Sequence, residues 1–188
     1  MELWFVKRTK GTKLELSDKK AQILKAAVAV MEWKGPEAKI SEIASAAGVN
    51  DSVIYHYFKD KEDLMFYAVG AYVKNATDDF IAQMKAIRDP VSRLRKLIWD
   101  QLHYRYVNPN YTKYTLFYCR SKQSFFRHES FDNIVKWVRL LRTILEDGVN
   151  EKIFSVNVPV TVAKDMILGY MDMETIHFFV GLQRRPTD

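Results

Sequence analysis

The chain has 188 residues, a net charge of +6 and a hydrophobic fraction of 48%. These values suit a globular protein of one or two domains and exclude a disordered chain. No apolar run approaches the about 18 residues of a membrane span. The N-terminus has its basic residues after its apolar ones and no cleavage site, so it does not read as a secretory signal. The one cysteine, Cys119, cannot form an intramolecular disulfide, which fits a reducing compartment. We therefore expect a cytoplasmic protein that makes no use of the membrane.

The chain opens with a basic stretch, residues 1–16, ahead of the first predicted helix. It contains four cations: Lys7, Arg8, Lys10 and Lys13. Such an arm either lies along DNA phosphates or in the minor groove, or is a solvated tail. Ser17 is a suitable N-cap for a helix over residues 18–33, which Gly35 and Pro36 then end.

Residues 39–61 are predicted to form two short helices joined by a tight turn at Gly48, which is a helix-turn-helix. The first helix places four apolar residues on one face, at Ile40, Ile43, Ala44 and Ala47. Gly48 favours the left-handed conformation that ends a helix, and Asn50 is a suitable N-cap for the second helix. That second helix is predicted to bury Ile54 and Phe58 and to expose polar and aromatic side chains, as a major-groove helix does. The alternative is an ordinary corner between two helices.

This motif resembles the DNA-binding motif of the TetR family of bacterial transcriptional repressors. Ten residues carry the resemblance: Ile43, Ala44, Ala47, Gly48, Val49, Tyr55, Tyr57, Phe58, Lys61 and Leu64. It covers about the first third of the chain as a motif, and the remainder only as a length and an all-helical pattern. Lys39 stands where the family often has a capping threonine, and Ser52 stands where it often has glycine. The resemblance implies contacts with double-stranded DNA from Ser52, Val53 and His56 to bases, from Tyr55, Tyr57 and Lys61 to phosphates, and from Lys39.

Helical patterning continues through the rest of the chain. Asp60 is predicted to cap a long helix over residues 61–87, which joins the DNA-binding motif to whatever follows. Asp89 and Pro90 are typical of the N-cap and first position of a further helix, which ends near Val107. Later helices are predicted over 111–121, 130–146 and 160–182, with a loop after Ser121 and extended chain over 149–159.

No strand pattern of any length competes with these helices, so we predict an all-α fold. Residues 1–60 are expected to form the arm and a three-helix DNA-binding head, and residues 61–188 a helical bundle for ligand binding and dimerisation. The resemblance implies that the last two helices pair with those of a second chain. The last helix has more apolar surface than one side requires, at Val162, Met166, Gly169, Tyr170, Met173, Ile176 and Val180. The alternative is burial of this helix within one chain.

Aromatic residues crowd the middle of the chain, where the resemblance implies a small-molecule effector pocket. The candidates combine apolar bodies with polar tips and are Trp99, Leu102, His103, Tyr106, Tyr114, Phe117, Tyr118 and Phe131. Residues 93–142 carry eleven Lys/Arg and three Asp/Glu, a net charge of +8, against +3 for residues 1–61. Five of these cations are candidates for the edge of the pocket: Arg95, Arg105, Arg120, Lys122 and Arg127. Such a pocket suits an amphipathic anion, such as a fatty acid or its acyl-CoA thioester. The alternatives are core aromatics and a solvated basic surface.

Signals for catalysis are weak. Glu174 and His177 have the i, i+3 spacing of carboxylate-bridged metal sites, but the second copy that such sites need is missing. Cys119 has no adjacent base, and the sequence has no phosphate-binding loop or dinucleotide fingerprint. We expect a dimeric, ligand-responsive repressor of a palindromic operator, with no enzymatic activity and no cofactor. The alternative is a helical adaptor that binds another protein and not DNA.

Overall fold

The computed structural model describes residues 12–155 and 157–182, with side chains from residue 18 onward. The predicted arm cations Lys7, Arg8 and Lys10, and the side chain of Lys13, lie outside the described residues. Over the described ranges the chain is helical and contains no strand. Its α-helices are α1 (Thr12–Lys34), α2 (Ile40–Ala46), α3 (Asp51–Tyr57), α4 (Lys61–Met84), α5 (Pro90–Val107), α6 (Pro109–Lys113), α7 (Gln123–Arg127), α8 (Phe131–Asn150) and α9 (Val160–Phe179).

The predicted three-helix head, α1 to α3, is confirmed by its packing. Helix α1 lies across α2 and the first half of α4, and α2 packs against α3. The side chains that meet at this junction have little or no exposed surface, among them Ile23, Ala27, Met31, Ile43, Ile54, Phe58 and Leu64. Burial of this apolar surface holds the short helices α2 and α3, which are too short to be stable alone.

Helix α1 begins earlier than the capping argument predicted. It starts at Thr12, so Ser17 lies inside the helix and does not cap it. The prediction was wrong because serine is tolerated within helices as well as favoured before them, and residues 13–16 include lysine, leucine and glutamate, which are good helix formers.

Helix α4 joins the head to the body, which consists of α5 to α9 and the turns between them. Its first half buries Leu64 and Met65 in the core of the head, and its second half buries Phe80 and Met84 in the core of the body. Helix α8 crosses α4 closely at Gly70, where an added Cβ would lie 2.5 Å from Cβ of Ser130. Glycine is therefore required by this close contact between α4 and the start of α8.

Helices α5, α8 and α9 form the rest of the body. Helix α8 packs against α4 and α5, and α9 packs against α5 and α8. Leu97 and Leu141 are buried at the first junction, and Leu102 and Met171 are buried at the second. None of the helices in the described ranges is long and apolar enough to span a membrane.

Three local predictions in the body were wrong. The chain is already helical from Pro109, and the stretch after it winds as a π-helix over Tyr114–Tyr118 and a 3-10 helix over Cys119–Ser121. The predicted loop after Ser121 contains α7. Helix α8 runs to Asn150, so Gly148 lies inside it and does not end it. Glycine is needed there because an added Cβ would lie 2.1 Å from the ring of Phe154.

Candidate DNA-binding surface and effector region

The turn between α2 and α3 is fixed by its backbone and by α1. Gly48 has a φ of +62°, the left-handed region that the sequence predicted for it. The backbone N–H of Val49 donates to the carbonyl of Ala44 at 3.0 Å. The side-chain amide of Gln22 on α1 donates to the carbonyl of Ala47 at 2.8 Å. The angle between α2 and α3 is therefore set before any DNA is bound.

Glu42 makes one of the two hydrogen bonds of a capping box at the start of α2. The carboxylate of Glu42 accepts a hydrogen bond from the backbone N–H of Lys39 at 3.0 Å. The ammonium of Lys34 also donates to this carboxylate, and that hydrogen bond holds the pKa of Glu42 below its usual value. The side chain of Lys39 is exposed at the start of α2.

Helix α3 presents a mixed polar and aromatic face to solvent. Ser52, Tyr55 and His56 are exposed, and Tyr55 has 55% of its surface accessible. Val53 and Tyr57 are half-buried and pack against the core of the head. Asn50 occupies the predicted N-cap position, but its side chain accepts no capping hydrogen bond.

Lys61 lies at the start of α4, beyond the end of α3. Its ammonium donates to the carbonyl of Pro36 at 3.0 Å, so a phosphate would compete with that contact. Another cation of the head, Lys20, lies 4.0 Å from the ring centre of Tyr67, where it makes a cation–π contact.

These positions together give α3 the form of a major-groove reader. A helix of seven residues is about 10 Å long, and a B-DNA major groove is about 12 Å wide. The hydroxyl of Ser52, the phenol of Tyr55 and the imidazole of His56 project from a scaffold whose opposite face is buried. Hydrogen bonds from such side chains can reach base edges or phosphate oxygens.

The structure does not bring the eight predicted effector contacts together. Leu102, Tyr106 and Tyr114 are buried, Tyr118 and Phe131 are half-buried, and Trp99, His103 and Phe117 are exposed. On α5, one stripe places Leu102 and Tyr106 in the core, while the neighbouring stripe places Trp99 and His103 outside, with their rings stacked at 4.6 Å. These two stripes are adjacent, about 60° apart around the helix axis at 3.6 residues per turn, so the edge of the covered surface runs between them.

A groove with a volume of about 290 Å³ lies on the outer side of α8. Its lining is mostly apolar with three cations, and the residues are Phe131, Ile134, Val135, Val138, Arg139, Arg142 and Lys164. Arg142 pairs with Glu146 at 2.7 Å and Lys164 with Asp165 at 2.8 Å. Of the eight predicted effector contacts, Phe131 alone lines this groove.

Three of the five cations predicted to edge an effector cavity are paired within the chain. The guanidinium of Arg105 is buried and donates to the carbonyl of Met171 at 3.0 Å, to Asp172 at 2.9 Å and to Thr175 at 3.1 Å. Burial lowers the pKa of Arg105, and the charge of Asp172 opposes that effect. Arg120 also pairs with Asp172, and Lys122 lies 3.5 Å from Glu62, whereas Arg95 and Arg127 are exposed.

Sequence reasoning missed a polar network at the first turn of α4. Glu62 and Asp63 receive hydrogen bonds from Tyr118, Ser124 and His128, which are 56 to 65 positions away along the chain. At such separations no local spacing indicates the contact.

The outer face of α9 is apolar and exposed. Met166 and Tyr170 keep 65% and 63% of their surface accessible, and the same face carries Val162, Gly169 and Met173. The carboxylate of Glu174 is buried beside this face. Within the described residues, no three His, Cys, Asp or Glu side chains are grouped to hold a metal ion.

Two family models match consecutive parts of the chain. A model described as "Bacterial regulatory proteins, tetR family" matches residues 23–68, and one described as "YsiA-like protein, C-terminal region" matches residues 68–183. The first match contains the turn at Gly48 and all of α3. The second begins within α4 and spans the body.

Individual proteins resemble the chain over most of its length. A fatty acid metabolism regulator protein of Bacillus subtilis (strain 168) is 29% identical over 164 residues, which are 85% of this chain and 82% of the relative. The structure of the regulator FadR from Bacillus subtilis in complex with stearoyl-CoA has a TM-score of 0.74 at 24% identity, over 88% of this chain and 90% of that one. A regulator from Saccharomonospora viridis in complex with choline also has a TM-score of 0.74, at 20% identity over 90% and 89% of the two chains.

Proposed function

The chain belongs to the TetR family of bacterial transcriptional regulators, and on that premise we propose that it is a repressor that binds a palindromic operator as a dimer. The exposed face of α3 carries this proposal. A surface helix that served only to cover the core would not need two aromatic rings in solvent, whereas a reader of DNA uses their polar tips.

Two sets of side chains have different roles at the operator. Ser52, Val53 and His56 contact base edges and therefore select the sequence, while Tyr55, Tyr57 and Lys61 contact phosphates and therefore set the register. Lys39, exposed at the start of α2, adds a further contact with DNA. Val53 and Tyr57 are half-buried, so the core of the head fixes their positions while part of each side chain remains accessible to DNA.

The outer face of α9 supports dimerisation. Exposed apolar side chains in one continuous stripe are unfavourable in water and mark a surface that another chain covers. A two-fold axis beside α8 and α9 gives an isologous contact in which the same stripe is used twice. The two copies of α3 then lie one turn of the duplex apart, about 34–36 Å, on a palindromic site.

We propose a long-chain acyl-CoA thioester, or the fatty acid itself, as the effector that releases the operator. The two solved regulators match the chain equally well in fold but hold stearoyl-CoA and choline, so the fold alone does not select the ligand. The relative that is 29% identical over most of both chains regulates fatty acid metabolism. The groove on α8 is mostly apolar and is lined by Arg139 beside two cations that are paired with acids, a combination that suits an amphipathic anion.

The spacing between the two heads explains how an effector would release the operator. An effector that enters the body shifts α4, and the two heads then no longer match successive major grooves. A change of a few ångströms is sufficient because the spacing between half-sites is fixed by the duplex.

The DNA-binding part is tested by a gel shift with the DNA upstream of the chain's own gene. Replacing both exposed side chains, Tyr55→Ala with His56→Ala, is expected to lower the affinity about a hundredfold, because lost base and phosphate contacts are worth about 1–3 kcal/mol each. The thermal unfolding temperature is expected to stay within a few degrees, since neither residue is buried. Wild-type affinity should also fall steeply with rising salt.

Trp33→Ala is the matched control. Trp33 is an aromatic residue of the same head, is 72% exposed and lies at the end of α1. Its loss is expected to leave the affinity unchanged. If the double variant retains DNA as well as Trp33→Ala does, or if affinity is independent of salt, α3 is not the DNA-reading helix and the adaptor function is favoured.

The effector and the dimer are tested by native mass spectrometry of the chain purified from its host. The expected mass is that of two chains plus an acyl-CoA or a fatty acid. Addition of stearoyl-CoA, with choline as the comparison, is then expected to lower operator affinity. A single chain at every concentration contradicts the dimer, and release by choline but not by stearoyl-CoA contradicts the proposed effector class.

A further inference from the structure

Three residues separate the end of α3 from the first turn of α4, and both carboxylates of that turn contact the body. Glu62 accepts a hydrogen bond from the hydroxyl of Tyr118 at 3.2 Å and another from the hydroxyl of Ser124 at 3.0 Å. The ammonium of Lys122 lies 3.5 Å from the same carboxylate. Charge-assisted hydrogen bonds of this kind fix geometry more strongly than neutral ones.

Asp63 connects the body to the end of the recognition helix. One of its oxygens accepts a hydrogen bond from the backbone N–H of Lys59 at 2.9 Å, directly after α3. The other lies 2.9 Å from Nε2 of His128. One carboxylate thus contacts the chain that leaves α3 and a side chain of the body at the same time.

Hydrogen bonds and ring contacts together fix the orientation of the imidazole of His128. Its Nε2 faces the carboxylate of Asp63, which can only accept, so Nε2 is the donor of that hydrogen bond. Its Nδ1 lies 2.7 Å from the hydroxyl of Ser130 and 3.2 Å from the backbone nitrogen of the same residue. The ring lies edge-on against Tyr67 at 4.6 Å and Phe66 at 5.5 Å, both on α4. A rotation of the ring would break the hydrogen bonds and the aromatic contacts together.

The position of His128 is in turn tied to α8. Ser130, which anchors the imidazole, is the residue before α8 and is buried against Gly70 on α4 without room for a methyl group. Glu129, between them, accepts a hydrogen bond from Tyr67, which raises the pKa of that phenol to about 12. Close-packed side chains cannot move apart without losing contact, so a displacement of the start of α8 also moves His128.

We propose that His128 is a positioning residue for DNA recognition, and that the body controls α3 through a polar clamp of Glu62, Asp63, Tyr118, Ser124 and His128. The inference rests on the proposed function, since it says how the effector's signal reaches the head. It differs from a simple lever, in which the far end of α4 moves the head from about 30 Å away. In the clamp, the segment over residues 118–130 acts within one turn of the recognition helix.

The decisive variants separate the hydrogen bond of His128 from its packing. His128→Phe keeps an aromatic ring beside Tyr67 and removes the donor to Asp63. His128→Gln keeps a donor close to the position of Nε2. Tyr104→Phe is the control, because it removes a different hydrogen bond between body and head, from Tyr104 on α5 to Glu32 on α1 at 3.0 Å.

The first readout is the ratio of operator affinities without and with stearoyl-CoA in the full chain. We expect His128→Phe to reduce this ratio about tenfold, a coupling loss within the range of known allosteric effects. His128→Gln should restore most of it, and Tyr104→Phe should leave it unchanged. A purely structural role would lower the two affinities equally, so a ratio in His128→Phe equal to that of the wild type overturns the clamp.

The second readout needs neither DNA nor effector. The amide of Phe58 donates to Ile54 within the head and contacts no clamp residue, so its hydrogen exchange reports whether α3 is held by the clamp. We expect this amide to exchange about tenfold faster in His128→Phe, and at the wild-type rate in Tyr104→Phe and His128→Gln. Equal rates in wild type and His128→Phe overturn the clamp. If stearoyl-CoA does not release wild-type DNA, the proposed effector is wrong, and the exchange rates alone decide the clamp.

Discussion

The head gathers candidate functional side chains on one exposed face, whereas the body divides its candidates between core and surface. In the head, Ser52, Tyr55 and His56 are exposed on a helix whose other face is buried. In the body, Tyr106 is buried and Arg105 is paired with Asp172, while Trp99, His103 and Phe117 are exposed. The head therefore presents one exposed surface, whereas the interior of the body is closed.

This difference bears on the proposed regulation. An exposed surface on a packed scaffold binds DNA with little rearrangement. An effector shifts the equilibrium between two states of the body only as far as it binds one of them more tightly. The comparison gives three predictions. The body should lose stability when the buried contacts of Arg105 are removed, and the head when the turn at Gly48 is strained. At the junction of head and body, the stability should depend on pH through Glu32.

The largest effect is expected from Arg105→Ala. Its guanidinium satisfies the carbonyl of Met171 and the hydroxyl of Thr175 as well as Asp172. Loss of one partner in a buried network costs about 3–5 kcal/mol, measured as the free energy of unfolding in urea.

Arg120→Ala is the control for that variant, because Arg120 pairs with the same carboxylate of Asp172 from an exposed position. Exposed pairs contribute about 0–1 kcal/mol, so this change should be small. If the two variants lose equal stability, the buried contacts of Arg105 contribute no more than an exposed ion pair. That result would contradict a closed interior of the body.

A smaller effect is expected from Gly48→Ala in the turn of the head. An added Cβ at Gly48 meets nothing within 4 Å, so the only penalty is the φ of +62°. That penalty is about 1–2 kcal/mol, and operator affinity should fall with it because the turn aims α3. Thermal unfolding and the operator gel shift measure the two effects, and a variant with wild-type stability would contradict the turn argument.

The smallest effect is expected at Glu32, where the head meets the body. Burial raises the pKa of Glu32 above 4.5, against the lowering effect of the hydrogen bond from Tyr104. The folded state therefore holds this proton more tightly than the unfolded state, so the group contributes most stability below pH 4.5 and loses it as pH rises through the folded pKa.

Glu32→Gln keeps an acceptor for Tyr104 and removes the titration. We expect the variant to gain stability relative to wild type as pH rises from 4 to 7, by less than the change at Gly48. Urea unfolding across that range measures it, and parallel stability curves for the two proteins would show that Glu32 is not desolvated.

The parts of the fold that the sequence predicted well depend on neighbours along the chain. Asp60 and Asp89 cap α4 and α5 through hydrogen bonds of 2.8 Å and 2.7 Å to residues three positions on, as their spacing indicated. Helix α5 has its predicted bounds of Pro90–Val107. Proline at a first position and a carboxylate before it are local signals, and no distant contact overrides them.

The sequence did not indicate which side chains of the body meet, because residue type does not reveal which face of a helix is covered. The aromatic content of α5 was visible in the sequence, but which stripe is covered depends on where α9 packs. The cationic excess was also visible, but the acids that neutralise Arg105 and Lys122 lie on α9 and α4. The clamp could not be predicted at all, since His128 and Asp63 are separated by 65 positions.

By itself the sequence determined the all-helical class, the turn at Gly48 and the exposed chemistry of α3, because helix periodicity, caps and left-handed glycine act over three or four residues. Only the tertiary structure decided which body side chains are buried, which charges are paired and how the head is held. Those outcomes depend on contacts between segments that are distant in the chain, and burial changes the energy of a polar group more than its identity does.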